Sequence, residues 1–419
     1  MPASNIDFTT LSHVIHFSLV PNSDGSIDAA ANGITPGGTA DLVSRAHAAG
    51  AKALICVGGA ASETGFQGAT GTENISRFIT NLVSFMSTNG YDGVDVDWEP
   101  LPVSDAAQYT NLINGLRSSL NNFSQHKLLT AAVAAYPVYG DPPEGEAVMY
   151  ASLQTQFDQI NIMTYDLSGP YEGWITWFNS PIYDGGTRFP STGGLVPSVD
   201  GALNTFLTNG VAPSKIAIAV AFYGYVWSGG SGGTVPSGGV TQPRQSWTVA
   251  PTVSSVAYST IFSTYYQSNL YYWDTNAQAA YLSVSNGNNQ FISYDDQHSC
   301  QAKVSYARNR GLGGLMIWEL SQDYFSTQPA GQRTPLIGTL KQALLTPGRS
   351  SLKLSNSNVS LSFQSLPLAE YRVQWTSNVA AGIWNTLTSN LIGTGQAVQV
   401  NDTNVLSQPA RYYRVGTPP

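Results

Sequence analysis

Short apolar runs rich in β-branched residues recur along most of the chain, and helical periodicity fills several of the gaps between them. The runs are Val14–Val20, Ala53–Val57, Gly93–Asp97, Leu129–Ala134, Ile160–Thr164, Ile216–Ala221 and Gly314–Trp318. Ile75, Phe78, Ile79, Leu82, Val83 and Met86 share one face of a helix that Gly90 closes. Tyr109, Leu112, Ile113, Leu116 and Leu120 repeat that spacing, and Gln301–Arg310, stopped by Gly311, predicts a further helix. Near-continuous apolar strands need a sheet covered on both faces, and alternating helices supply the cover. The rhythm therefore suits a (β/α)8 barrel or a doubly wound sheet.

Two stretches depart from it. Val226–Ile292 is rich in Gly, Ser, Tyr and Trp and reads as an insertion between two βα units. After Pro347-Gly348-Arg349-Ser350-Ser351 the period drops to two, in Val359–Phe363, Tyr371–Trp375, Ala397–Val400 and Tyr412–Val415. That pattern predicts a small antiparallel sandwich over 351–419.

Composition narrows the function. Charged residues are 11% of the chain, against ~25% in an ordinary domain. Eighteen basic against 26 acidic residues, a net charge of −8, leave no basic stripe for nucleic acid. No run approaches the length that crosses a membrane. Cys56 and Cys300 cannot by themselves frame a disulfide scaffold or a zinc site, and the five histidines lack metal-binding spacing. No metal and no cofactor are expected. Met1–Thr10 has no signal-peptide pattern. A surface rich in hydroxyls, amides and aromatics still suits a secreted, extracellular protein that handles neutral polymers, acting as a monomer.

The densest chemistry is Asp92-Gly93-Val94-Asp95-Val96-Asp97-Trp98-Glu99-Pro100. On a strand, Asp95, Asp97 and Glu99 point to one side at ~6.6 Å intervals, with the valines on the other. Clustered carboxyls on a buried face must be hydrogen-bonded or share protons, and at least one pKa rises. A carboxylic acid so kept protonated near neutrality can serve as a general acid. A solvated acidic loop or a calcium or magnesium site is the alternative. The interleaved valines oppose the first and the strand geometry the second.

Asp92–Glu99 resembles the DGxDxDxE signature of family 18 glycoside hydrolases, the chitinase family. Met163-Thr164-Tyr165-Asp166 resembles the family's MxYD, and Cys56-Val57-Gly58-Gly59 its SxGG, with cysteine in place of serine. Ala221-Phe222-Tyr223-Gly224, Tyr294-Asp295-Asp296 and Gly311–Glu319 are similar to later family motifs. The resemblance, over roughly residues 5 to 345, implies an α/β fold. That fold is a (β/α)8 TIM-type barrel with an α+β insertion domain, to which the period-two pattern adds a C-terminal all-β sandwich module. The barrel would occupy 1–225 and 293–346, the insertion domain 226–292 and the module 351–419. The chain starts almost at the family's second strand, so the barrel is expected to lack its first strand.

The resemblance also implies roles. Glu99 would protonate the glycosidic oxygen, and the substrate's own acetamido carbonyl would attack C1. Asp97 would hold the acetamide N–H and share a proton with Asp95, while Tyr165 would donate to the acetamido oxygen. Trp318 would be the floor on which a sugar stacks, and Asp166, Tyr223, Tyr136 and Trp98 would be further substrate contacts. A cis Glu99–Pro100 bond is expected, X-Pro bonds tolerating that isomer best. The expected partner is chitin or its N-acetylglucosamine oligosaccharides. The rival readings are a chitin-binding lectin, which typically lacks the acid that Glu99 supplies, and a hydrolase of peptidoglycan or the N-glycan core.

Overall fold

All seven apolar runs fall in strands, and those strands form one parallel sheet. They are β1 (His13–Pro21), β2 (Lys52–Gly59), β3 (Gly93–Trp98), β4 (Leu128–Ala134), β5 (Gln159–Met163), β6 (Ile216–Ala221) and β7 (Gly314–Trp318). The computed structural model describes residues 1–416 except 139, 330, 346–349, 356, 366–369, 394–396, 404 and 406–409. The chain divides into two compact units, Met1–Leu336 and Ile337–Pro419.

Strand order across the sheet is β7-β6-β5-β4-β3-β2-β1, each strand parallel to its neighbours. A two-residue strand, Ile27–Asp28, folds back antiparallel on the end of β1. Helices cover the outside: α1 (Pro36–Ala48), α2 (Glu63–Ala69), α3 (Ile75–Thr88), α4 (Ala106–Leu120), α5 (Ala147–Leu153), α6 (Val199–Thr208) and α7 (Gln297–Asn309). The stripes read from the sequence face the sheet. Phe78, Leu82 and Met86 of α3 and Tyr109, Leu112, Ile113, Leu116 and Leu120 of α4 are buried in the main core. Burying each such side chain contributes about 1.5–3 kcal/mol.

The sheet curls until its two edges meet at the top. Phe17 of β1 packs edge-on against Trp318 of β7, ring centroids 4.8 Å apart. No strand pairing joins β1 to β7 among the described residues. Seven parallel strands thus make the wall, and a seam stays open between its edges. A cavity of about 600 Å³ occupies the seam and the barrel interior. Asp92 stays at the opposite end from the site. Its carboxylate accepts from the Ala53 N–H, His47 and Lys52, joining β2 to β3 at the base.

Between β6 and α7 lies a five-stranded antiparallel sheet, in spatial order Tyr271–Asp274, Ala279–Val284, Gln290–Tyr294, Tyr223–Ser231 and Val249–Ala257. Its strands cross residues 226 and 292, where the insertion was expected to begin and end. It has its own core around Trp177, Phe178, Trp227 and Phe291. The second unit holds two three-stranded antiparallel sheets that share a core of Leu361, Phe363, Tyr371, Val373 and Val400. In that unit the guanidinium of Arg411 lies over one face of the Trp375 ring and that of Arg414 over one face of the Trp384 ring.

An unpaired parallel edge exchanges its amide protons through local opening rather than global unfolding. Hydrogen exchange followed by mass spectrometry should therefore show β1 and β7 at least ~10-fold less protected than β3 and β4. Equal protection across all four strands would mean that the seam is closed in solution.

Candidate active site

The register of β2, β3 and β4 brings the carboxyls together. Cys56 lies opposite Asp95 and Gly58 opposite Asp97, while Thr130 lies opposite Asp95 on the far side. Asp95, 2% exposed, accepts the Thr130 hydroxyl at 2.5 Å and also the Cys56 thiol. Burial nevertheless raises its pKa above the ordinary carboxylate value. Asp97 is 5% exposed, and its carboxyl lies within hydrogen-bonding reach of Glu99. Its Oδ1 is buried and takes no hydrogen bond from a donor among the described residues. Burial, then the charges of Glu99 and Asp95, push the Asp97 pKa well up. Glu99 is half-buried, and burial with the nearby Asp166 charge raises its pKa against the opposing hydrogen bond to Asp97. Asp97 and Glu99 thus face one another, while Asp95 takes its hydrogen bonds from Thr130 and Cys56.

Two glycines make this packing possible. Gly58 has φ +113°, and a Cβ there would lie 1.9 Å from the Asp97 carbonyl oxygen. At Gly59, φ +108°, a Cβ would strike the Phe17 ring at 2.5 Å. The backbone of Glu99 is fastened from α2, where the Ser62 and Glu63 N–H groups donate to its carbonyl and its own N–H donates to the Ser62 hydroxyl. The Glu99–Pro100 bond is cis, as the motif led us to expect. Nothing in the sequence pattern singled out Ser62.

The opposite wall comes from β5, β6 and the antiparallel sheet. Tyr165 sits edge-on to Tyr223, centroids 5.9 Å apart, and its hydroxyl makes no hydrogen bond to a described residue. Burial raises the Tyr165 pKa well above the usual phenol value, so it stays a donor. Asp166, in a left-handed conformation with φ 58°, accepts the hydroxyls of both Tyr223 and Tyr225 at 2.6 Å. Tyr225 was missed by sequence reasoning, although its alternation with Tyr223 was a usable signal. Trp318 lies on the cavity wall with Asp95, Asp97 and Tyr165.

Two further sequence candidates, Trp98 and Tyr136, have other commitments. Trp98 is 3% exposed on the helix side of β3, stacked on Phe66 at 4.6 Å and edge-on to Tyr109. It is a core residue and touches no groove, because strand alternation sends it opposite to Asp97. Tyr136 commits its hydroxyl to Ser198, donating to the carbonyl and accepting the N–H, and so fastens the start of α6. Burial pushes its pKa up to about 12. Among the described residues no group of three or more His, Cys, Asp or Glu is arranged to hold a metal.

A profile of Glycosyl hydrolases family 18 matches residues 3–323. The chain belongs to family 18. A probable endochitinase of Caenorhabditis elegans is 30% identical over 304 residues, covering 70% of this chain and 48% of the relative. Chitinase A1 of Niallia circulans is 29% identical over 374 residues, 80% of this chain and 51% of the relative. The chain thus spans about half the length of these two curated relatives. The crystal structure of the Ostrinia furnacalis Group IV chitinase in complex with allosamidin superposes with a TM-score of 0.67 at 23% identity, over 82% of this chain and 93% of that one. The shared fold is the family 18 TIM barrel.

Within this family 18 site, Asp97 gives a stability test. Its folded pKa lies above the unfolded value of 3.8, so the folded state disfavours ionisation, and stability falls as pH rises from about that value through the folded pKa. Asp97→Asn should raise the melting temperature by a few degrees at pH 8 and by much less at pH 4. An equal shift at both values would mean that the carboxyl is not held protonated.

Proposed function

We propose that the chain is a chitinase that hydrolyses β-1,4-linked N-acetylglucosamine polymers with retention of configuration, the substrate supplying its own nucleophile. What supports this most is the pairing of a buried, unpartnered acceptor with a free donor across one site: Asp97 Oδ1 and the Tyr165 hydroxyl. An acetamido group presents an N–H to the first and a carbonyl to the second. An acid–nucleophile carboxylate pair is the usual retaining device, and family 18 is among its exceptions.

In the first step the Glu99 O–H protonates the glycosidic oxygen as the C1–O bond breaks, and the acetamido oxygen bonds to C1. The positive charge that spreads over the resulting ring lies beside Asp97, which accepts the acetamide N–H. Tyr165 holds the attacking oxygen in line. Water then adds to C1 from the vacated face, the C1–O bond to the acetamide opens, and the water's proton passes to Glu99. Two displacements at C1 retain the configuration. Trp318 supplies the apolar face for the sugar ring. The raised pKa of Glu99 keeps it protonated to higher pH than an ordinary glutamate, so the alkaline limb of the pH profile reports its deprotonation.

In this reading the barrel carries the chemistry and the antiparallel insertion beside β6 builds up one wall of the groove. The enzyme would work as an extracellular monomer on chitin or its oligosaccharides. The C-terminal unit serves as a spacer, since arginines cover the tryptophan rings that a glycan would stack on. A lectin would need no proton donor, so the raised acid at Glu99 favours the enzyme.

Glu99→Gln should abolish turnover of N-acetylglucosamine oligomers, while the unaltered chain releases the β-anomer first, as followed by proton NMR. Binding without turnover by the unaltered chain would establish the lectin instead. Tyr165→Phe should lower kcat by ~10²-fold, the scale of one lost oxyanion donor, with KM changed less than ~3-fold in initial-rate measurements.

A further inference from the structure

Lys303 is the most deeply buried cation described, with no exposed surface, yet no step of the chemistry uses it. It projects from α7, behind the wall that carries Tyr165 and Tyr223. Its ammonium donates to Asp295 Oδ2 at 2.5 Å and to the Ser180 hydroxyl at 2.6 Å. Each partner leads to a different strand end. Asp295 Oδ2 also accepts the N–H of Ala221, the last residue of β6 and two before Tyr223. Ser180 donates its hydroxyl to the carbonyl of Thr164, the residue immediately before Tyr165.

The two branches close on each other. The Thr164 hydroxyl accepts the Ala219 N–H at 2.8 Å and donates to the Ala219 carbonyl at 3.1 Å, pinning the end of β5 to β6. Asn179, beside Ser180, accepts the Asp166 N–H through Oδ1 at 3.0 Å. One ammonium therefore ties together the strand ends that present Tyr165, Asp166, Tyr223 and Tyr225.

An ion pair is a poor way to gain stability here. Removing two charges from water costs about as much as their attraction returns, and apolar residues of similar volume often do as well. An apolar pair, however, has no direction, whereas ammonium and carboxylate fix the hydroxyl and amide that they bind. We propose that Lys303, with Asp295, is a positioning residue: it sets where the Tyr165 hydroxyl and the Asp166-bound tyrosines stand relative to Glu99 and Asp97. The inference rests on the chitinase reading for its kinetic consequence, but not for its geometric one.

Two variants test it. Ser180→Ala cuts the branch to Thr164 and leaves the ion pair whole. Lys303→Met combined with Asp295→Leu removes both charges, so no unpaired charge is left to unfold the protein. In both, kcat on N-acetylglucosamine oligomers should fall ~10- to 100-fold, the range for an ångström-scale misplacement. Oligomer binding, measured by calorimetry in a Glu99→Gln background, should change less than ~3-fold, and the melting temperature of the double variant should stay close to that of the unaltered chain. Crystal structures of both variants should show the Tyr165 hydroxyl displaced. A double variant that folds, keeps its kcat and leaves Tyr165 in place would overturn the proposal and reduce Lys303 to packing. If the unaltered chain itself proves silent on the oligomers, the chitinase reading fails, and the position of Tyr165 in the variant crystals still decides the positioning claim.

Discussion

Three carboxyls on one face of a buried strand impose conditions that the surrounding structure has to meet. Charged and unpaired, they would not be tolerated inside a parallel sheet. Thr130 and Cys56 stabilise Asp95 from the neighbouring strands, and Asp97 and Glu99 turn to one another. Asp97 Oδ1 stays buried without a hydrogen-bond donor, which carries a desolvation cost. Burial and the nearby Asp166 charge raise the Glu99 pKa against its contact with Asp97. Stability and chemistry are thus opposed at one strand, and the close-packed glycines of β2 and the helices outside β3 hold it in place.

The facing wall solves a different problem. Phenols near carboxylates must be kept as donors and aimed. Burial does the first, raising the pKa of Tyr165 and Tyr223. For the second, Asp166 takes two tyrosine hydroxyls on one oxygen, and its strained left-handed backbone is held by Asn179. Tyr165 is left over as the free donor. Behind that wall the Lys303 network joins the end of β6 to the segment that leaves β5 and carries Tyr165 and Asp166.

Much of this was legible from the residues. Strand–helix alternation placed all seven parallel strands, because apolar runs buried on both faces need no tertiary information to be recognised. The Asp95–Glu99 spacing alone put the carboxyls on one side of β3. Trp98 shows the limit of the same rule: alternation already assigned it to the helix face, yet its place beside the catalytic motif suggested a groove. Tyr136 stands at a strand end as expected, but its hydroxyl found Ser198, a partner sixty-two residues away. Ser62, Tyr225 and Lys303 carry no local signature, since each matters only through what it touches.

The sequence by itself determined the strands, their inward and outward faces, and the residues able to carry the chemistry, because those follow from side-chain periodicity and from the cost of burying charge. Tertiary structure decided which carboxyl pairs with which, which tyrosine stays free, and where the barrel seam lies open. Those outcomes depend on contacts between residues far apart in the chain. Register between strands and the competition for hydrogen-bond partners settle them, and neither is written in any short stretch of residues.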